Sequence, residues 1–419
     1  MRHQGRPDPL RHPNPALPLW GIRVVDFTWV AAGPVATRYL ADFGATVVRV
    51  ESSVHPDPWR NSAPFAGHTP GPNRSGAFAL VNAGKGSVTL NMQNPKGVAL
   101  ARRLILEWAD AVVENFTAGV MERWGLGYDA LSRERPDLIM ISMSTFGRGN
   151  PLEGLPGFGP LITALVGITN LTGWPDRTPV PPGPSATYTD FIVPRQAVAA
   201  LLAALDYRER TGRGVYIPLS QFLSSLHLLA PLILDALENG REGGRQGNRE
   251  AGCAPHGCFP CADGEWVAIA VEDDAQWRAL RRALGDPPWA LDPSLDTLEG
   301  RKAQEDRLEV LLAGETRQHP SEALVERLQG EGVPAGVCRS ARGLLHDPQL
   351  AHRGAYPTLH HPEIGRHRVD APEMRLSATP GGPARPAPLL GQDTEAVLQT
   401  VLGLSPQDIH TLRAEGVLQ

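Results

Sequence analysis

The chain has 419 residues, 42% of them hydrophobic and 20% charged, with a formal net charge of −5. These are ordinary values for a globular protein long enough to form two domains. They leave no long or clustered basic run of the kind that binds nucleic acid. No apolar run reaches the roughly 18 residues of a membrane-spanning helix. The Pro-rich opening "MRHQGRPDPLRHPNPALP" lacks the apolar segment of a secretion signal, so residues 1–16 are expected to be a disordered lead-in. Four cysteines give no disulfide framework, and a reduced, cytoplasmic setting is the expectation.

In chain order, the Val-rich run at residues 22–27 reads as a buried strand, and "AAGP" is a turn whose Pro34 opens a helix over 34–43. Gly44 ends that helix, and "TVVRVE" is the next strand, completing a βαβ unit of a parallel sheet. "GVALARRLILEWAD" has helical spacing, and "AVVENF" and "LIMISMSTFG" read as strands, so the alternation runs to about residue 146. Residues 147–186 are rich in Gly and Pro and read as loop, which in a compact domain points to function. A helix is expected over 194–210, with Pro194 at its first position, ending at "TGRG". A strand and an apolar helix follow, then a Gly-rich loop through "CAPHGCFPC", the strand "EWVAIAV", and helices to about 330. The tail runs extended through "LSATPGGPARPAPLLGQDT" to a last helix with Ser405 as N-cap, Pro406 in its first turn and Gly416 as stop.

Several constellations can be weighed on the residues alone. A dinucleotide site needs G-x-G-x-x-G at the first βα turn. Here that turn holds one glycine, Gly33, and Glu51 at the ribose-holding position has no such loop to work with. Cys253, His256, Cys258 and Cys261 are zinc-ligand types, but four ligands within nine residues, stiffened by Pro255 and Pro260, favour a thiol-bearing loop, and no metal is expected. Neither G-x-S-x-G nor a Walker A loop occurs. Asp190 is a lone acid at the edge of an Ala/Leu/Val run, preceded by Thr187, Tyr188 and Thr189. Lying just ahead of a helix, it would be kept ionised by the helix dipole. Position alone leaves open a helix-start carboxylate or a nucleophile.

Taken together, "GIRVVDFTWVAAGP", "LADFGATVVRVE", "NAGKGSVTLNM", "ADAVVENFTAGVMERWGLGYDAL", "PDLIMISMSTFG", "YRERTGRGVYIPLSQ", "FPCADGEWVAIAVEDDAQW" and "DPQLAHRGAYPTL" resemble, in this order, the class III CoA-transferases of the CaiB/BaiF family, from about Leu17 to the C-terminus. The resemblance implies that Asp190 is the nucleophile, attacking an acyl-CoA thioester to give an aspartyl mixed anhydride and later activating an acceptor acid. It implies coenzyme A contacts at Ala31, Ala32, Asn82, Lys85, Asn115, Phe116, Thr117 and Arg123, with Lys85 and Arg123 meeting phosphate. CoA is then a substrate, and no resident cofactor is expected.

The same family includes 2-methylacyl-CoA racemases, which exchange an α-proton. Their histidine position is Phe158 here, followed by Gly159, although Glu272 matches their glutamate. Racemase and a non-catalytic CoA-binding protein are the alternatives. Gly252 falls in a loop that covers the site in formyl-CoA transferase, without the run of glycines found there. Arg195 is a candidate for holding a substrate carboxylate, against a surface ion pair. Where the family often has glycine four residues after the aspartate, this chain has Pro194.

The expected fold is α/β. A Rossmann-like parallel-sheet large domain is built from 17–212 and 336–419, a linker occupies 213–224, and a smaller α+β domain occupies 225–335. The resemblance implies an interlocked homodimer.

Overall fold

The structure, a computed structural model, describes residues 8–183 and 188–419. Two compact units emerge: residues 1–169, 181–242 and 354–419, and residues 170–180 with 243–353. Relative to the sequence-based division, the second unit gains 170–180 and 336–353, and 225–242 stays with the first.

In the first unit the chain runs β1 (Arg23–Asp26), α1 (Ala32–Asp42), β2 (Thr46–Glu51), α2 (Gly76–Asn82), β3 (Gly86–Thr89), α3 (Pro95–Glu107), β4 (Ala111–Glu114) and β5 (Ile139–Ser144). It continues through α4 (Gly159–Leu165), α5 (Tyr188–Thr211), β6 (Tyr216–Ser220), α6 (Gln221–Leu226) and α7 (Ala230–Asn239). The six strands form one parallel sheet in the order β3-β2-β1-β4-β5-β6.

Strand side chains alternate between two cores, as the period of two requires. Val25, Val48, Val112 and Met140 face α3 and the C-terminal helices Thr394–Thr400 and Pro406–Ala414. Val24, Val47, Val113 and Ile141 face α1 and α5. Helix α5 meets that face with Val193, Ala197, Leu201 and Ala204, a helical stripe. With both faces covered, the strands read as continuous apolar runs, which is why they were visible in the sequence. The exception is β3, "GSVT", too short and polar to stand out.

Three local readings are corrected. Part of the lead-in is packed: Leu10 is 6% exposed and joins the sheet's core, while residues 13–16 are exposed. It fits because Gly86 has no side chain there; a Cβ would lie 2.5 Å from Leu10 Cδ1. The long helix runs Tyr188–Thr211, so Asp190 lies inside its first turn and Pro194 lies within the helix rather than opening it. Lacking an N–H, Pro194 leaves the Asp190 carbonyl without its helical donor. The cap at Ser405 is as expected, and it forms a capping box with Asp408.

The second unit has its own core around Trp277, Leu280, Leu312 and Leu324. It packs helices on the antiparallel sheet β7 (His256–Pro260), β8 (Trp266–Ala270) and β9 (Ala335–Val337).

Candidate active site

In the sheet order, the chain proceeds from β1 to one edge through β2 and β3, and from β4 to the other through β5 and β6. The loops leaving the carboxyl ends of β1 and β4 therefore diverge. They open the crevice at which open parallel sheets take nucleotide-bearing ligands.

The sequence-predicted CoA residues divide there into two sets. Asn115 clamps the β1 loop: its Oδ1 accepts from the Trp29 amide at 2.8 Å, and its Nδ2 donates to the Trp29 carbonyl at 2.9 Å. The Phe116 ring stands edge-on to both Trp29 and Trp124, with centroids 5.6 Å apart in each pair. Its amide donates to Glu114 Oε2 at 2.7 Å, while Glu114 Oε1 accepts from Arg148 at 2.8 Å and from the Ser142 hydroxyl. Ala31 and Ala32 are buried at the start of α1, which has no side-chain cap. The Thr117 carbonyl accepts from the Val120 amide, and Arg123 is exposed, with no ion pair among the described residues.

Asn82 and Lys85 are not at that crevice surface, and the phosphate role expected of Lys85 is corrected. Both are buried. The Lys85 ammonium lies 2.8 Å from the Pro34 carbonyl, 2.7 Å from Thr37 Oγ1, 2.9 Å from Asn82 Oδ1 and 3.2 Å from Asp26 Oδ2. Its three protons are fully engaged inside the fold. Burial drives its pKa down to about 7 against the pull of Asp26. Asn82 supports the same network, accepting from Arg49 at 3.0 Å. Glu51 is likewise internal. Burial alone would raise its pKa, but the Arg49 and Arg60 guanidiniums hold it down at about 2.

Sequence reasoning missed what holds the β1 loop. Val30 has φ of 67°, a left-handed conformation that a β-branched residue adopts only under constraint, at about 1–3 kcal/mol. Its amide is shared between the two carboxylate oxygens of Asp57, each 3.2 Å away. The only signal for Asp57 was its place in the turn-forming "HPDPWR".

Asp190 is 5% exposed, on the first turn of α5, which packs against α1 and α4. Its carboxyl rests on Gly159, the first residue of α4: a Cβ built there would lie 2.4 Å from Asp190 Oδ2. Beside it, the hydroxyls of Thr163 and Thr189 are 3.4 Å apart. Thr187, singled out in the sequence, lies outside the described residues. The expectation that the helix start keeps Asp190 ionised meets an opposing effect: burial pushes its carboxyl up to about 7, and among the described residues no charged neighbour lowers it. That makes it a more basic carboxylate than an ordinary aspartate. Asp190 does not line the ~110 Å³ cavity found between α1, α5 and residues 370–373.

Arg195 takes the ion-pair reading: its Nε lies 2.9 Å from Glu373, and its Nη1 donates to the Phe191 carbonyl. Phe158 is 65% exposed. In the second unit Gly252 is exposed with open space around it, and the Glu272 amide donates to Gln276 Oε1 at 2.8 Å. Among the described residues no three His, Cys, Asp or Glu side chains gather as a metal would require. The His256 ring meets the Asn248 carbonyl, and Cys258 Sγ lies 3.7 Å from Cys338 Sγ. No described helix is long and apolar enough to cross a membrane.

The fold is thus an open α/β parallel sheet with an aromatic cluster at its β1–β4 switch point and a buried carboxylate on a neighbouring helix. The chain belongs to CoA-transferase family III, whose model matches residues 19–394. It is 34% identical to a succinyl-CoA–D-citramalate CoA-transferase of Chloroflexus aurantiacus, over 97% of this chain and 99% of that one. It is 30% identical to a succinyl-CoA:glutarate CoA-transferase of Mus musculus, over 96% of this chain and 90% of that one. Among solved structures, a CaiB/BaiF family protein from Brucella suis superposes with a TM-score of 0.83 at 31% identity, covering 91% of this chain and 98% of that one. The protein is thus a CoA-transferase, moving CoA between acyl-CoA and acids.

Proposed function

We propose that the enzyme transfers CoA from a succinyl-CoA-type donor to a small dicarboxylic acid through covalent intermediates on Asp190. The substrate class is taken from the relatives, named for succinyl-CoA paired with D-citramalate or glutarate. The observation that carries the mechanism is the Asp190 carboxyl, buried against Gly159 with its proton affinity raised to the neutral range. A more basic carboxylate is a better nucleophile, and a buried one shields an anhydride from water.

The steps balance without an outside reagent. An Asp190 oxygen attacks the thioester carbonyl, the C–S bond breaks, and CoA leaves as thiolate. The thiolate attacks the aspartyl carbonyl of the mixed anhydride, releasing the donor acid and leaving an aspartyl-CoA thioester. The acceptor carboxylate attacks that thioester to form a second anhydride, and CoA thiolate takes the new acyl group, freeing Asp190. CoA is placed along the β1–β4 crevice, with the aromatic cluster of Trp29, Phe116 and Trp124 and the unpaired Arg123 supporting that placement. Lys85 is left out of the phosphate contacts.

A homodimer, interlocked as the resemblance implies, is supported by α7. It buries none of its residues although it carries Leu232, Ile233, Leu234 and Leu237. A reduced, cytoplasmic location is supported by four free cysteines among the described residues.

The test is acyl exchange between succinyl-CoA and a panel of dicarboxylic acids, read by mass spectrometry of the thioesters. Wild-type enzyme should form new thioesters, and hydroxylamine should trap Asp190 as a hydroxamate only after acyl-CoA is added. Asp190→Asn should bind CoA and do neither. Exchange by Asp190→Asn at the wild-type rate would refute the mechanism.

A further inference from the structure

We infer that Asp57 is a positioning residue for CoA binding, its carboxylate holding Val30 in the left-handed conformation that sets the β1–α1 loop along the crevice. The inference rests on the proposal that CoA occupies that crevice.

Asp57 is 27 residues from Val30 in sequence and 1% exposed. Three segments meet on its carboxylate. The Val30 amide donates to both oxygens at 3.2 Å, the Trp59 amide donates to Oδ1 at 2.9 Å, and Arg49 Nη2 donates to Oδ2 at 2.8 Å. Arg49 is fixed in turn. It projects from β2, is fully buried, and donates to Asn82 Oδ1 at 3.0 Å. Asn82 also accepts from Lys85, which holds Asp26 at the end of β1. Asp57 is therefore tied to the sheet on both sides of the loop it controls.

On the preceding residue, Asn115 from the end of β4 takes both backbone groups of Trp29. Two consecutive loop residues thus have three backbone polar groups held by side chains from elsewhere in the fold. That over-determination is what keeps a valine at a φ of 67°. Nothing in valine's own preferences does so, and glycine alone would adopt that conformation without cost. Ala31 and Ala32 follow directly, so their course past the crevice depends on Val30.

This gives a rescue experiment. Removing the carboxylate in Asp57→Ala frees Val30 to relax to negative φ and redirects the loop. Adding Val30→Gly makes the left-handed conformation cost-free again, without restoring the acceptor. The measurements are the Kd of free CoA by calorimetry and the steady-state constants for acyl-CoA. Asp57→Ala should raise the Kd about tenfold or more, and raise KM by a larger factor than kcat falls. The double variant Asp57→Ala/Val30→Gly should recover most of the lost affinity. Asp57→Asn keeps an oxygen acceptor and the turn cap, so it should lose less, and it serves if Asp57→Ala does not fold.

A merely structural Asp57 would lower stability without being rescued by a glycine at residue 30. CoA affinity of Asp57→Ala within twofold of wild type, a double variant no better than Asp57→Ala, or Asp57→Asn losing more affinity than Asp57→Ala would overturn the inference. Failure of the wild-type chain to bind CoA would overturn the crevice placement as well.

Discussion

Replacing Asp190 by asparagine should remove transfer activity and, in neutral to alkaline solution, make the protein more stable. Burial raises the carboxyl from its ordinary 3.8 to about 7 in the folded chain. The folded state therefore holds more protons than the unfolded state between those two values, and stability falls as pH rises through that window. Below it the group contributes no penalty. Above it the penalty levels off at roughly 4 kcal/mol, and at pH 5 it is roughly 2 kcal/mol. Asparagine has the same shape and no charge to bury, so it should recover most of that difference, less the cost of an amide without partners. For a chain of this size, and with about 1 kcal/mol allowed for the amide, the gain in melting temperature should be about 3–4 °C at pH 8 and about 1 °C at pH 5. Calorimetry of wild type and Asp190→Asn at the two pH values checks this. Because asparagine does not titrate, the difference between the two gains isolates Asp190. Equal gains at both pH values, or a loss at pH 8, would refute the claim that an uncompensated buried carboxylate stands at residue 190.

The same shift predicts activity. With the carboxylate as nucleophile, kcat/KM for acyl-CoA should rise with pH, bend near pH 7 and stay level above it, whereas a flat profile between about pH 5.5 and 9 would exclude a raised pKa in the free enzyme. Gly159→Ala would place a Cβ 2.4 Å from Asp190 Oδ2, so kcat should fall about a hundredfold while the far-ultraviolet spectrum is retained; wild-type kcat would show that the carboxyl does not need that space. Leu237, 74% exposed on a helix with no buried residue, should lie in a subunit interface, so Leu237→Glu should convert a dimer to monomers in sedimentation; a monomeric wild type would refute the interface.

Much of the fold was legible because a doubly covered parallel sheet writes itself plainly. Strands such as "TVVRVE" must be apolar on both faces, and each is followed by helical spacing and a Gly or Pro stop. Pro194 misled because proline at a helix start is the common case. Here it lies within the helix Tyr188–Thr211. Asp190 was identifiable as a candidate from its isolation and from the ordered motifs around it. Its proton affinity was not, because that depends on how much water Gly159 and the neighbouring helices exclude.

The sequence by itself determined the α/β alternation, the family pattern and the identity of the candidate nucleophile, since these rest on residue order and local periodicity. Tertiary structure decided which charges are enclosed in the fold and which stay exposed. Lys85 and Arg123 look alike as basic residues in family motifs. Packing encloses Lys85 against Asp26, 59 residues away in sequence, and leaves Arg123 exposed. Asp57 acquires its influence over Val30 only when two separate segments are brought within 3.2 Å. The reason is physical: desolvation and hydrogen-bond partnership are properties of the folded neighbourhood, and residues distant in sequence supply that neighbourhood.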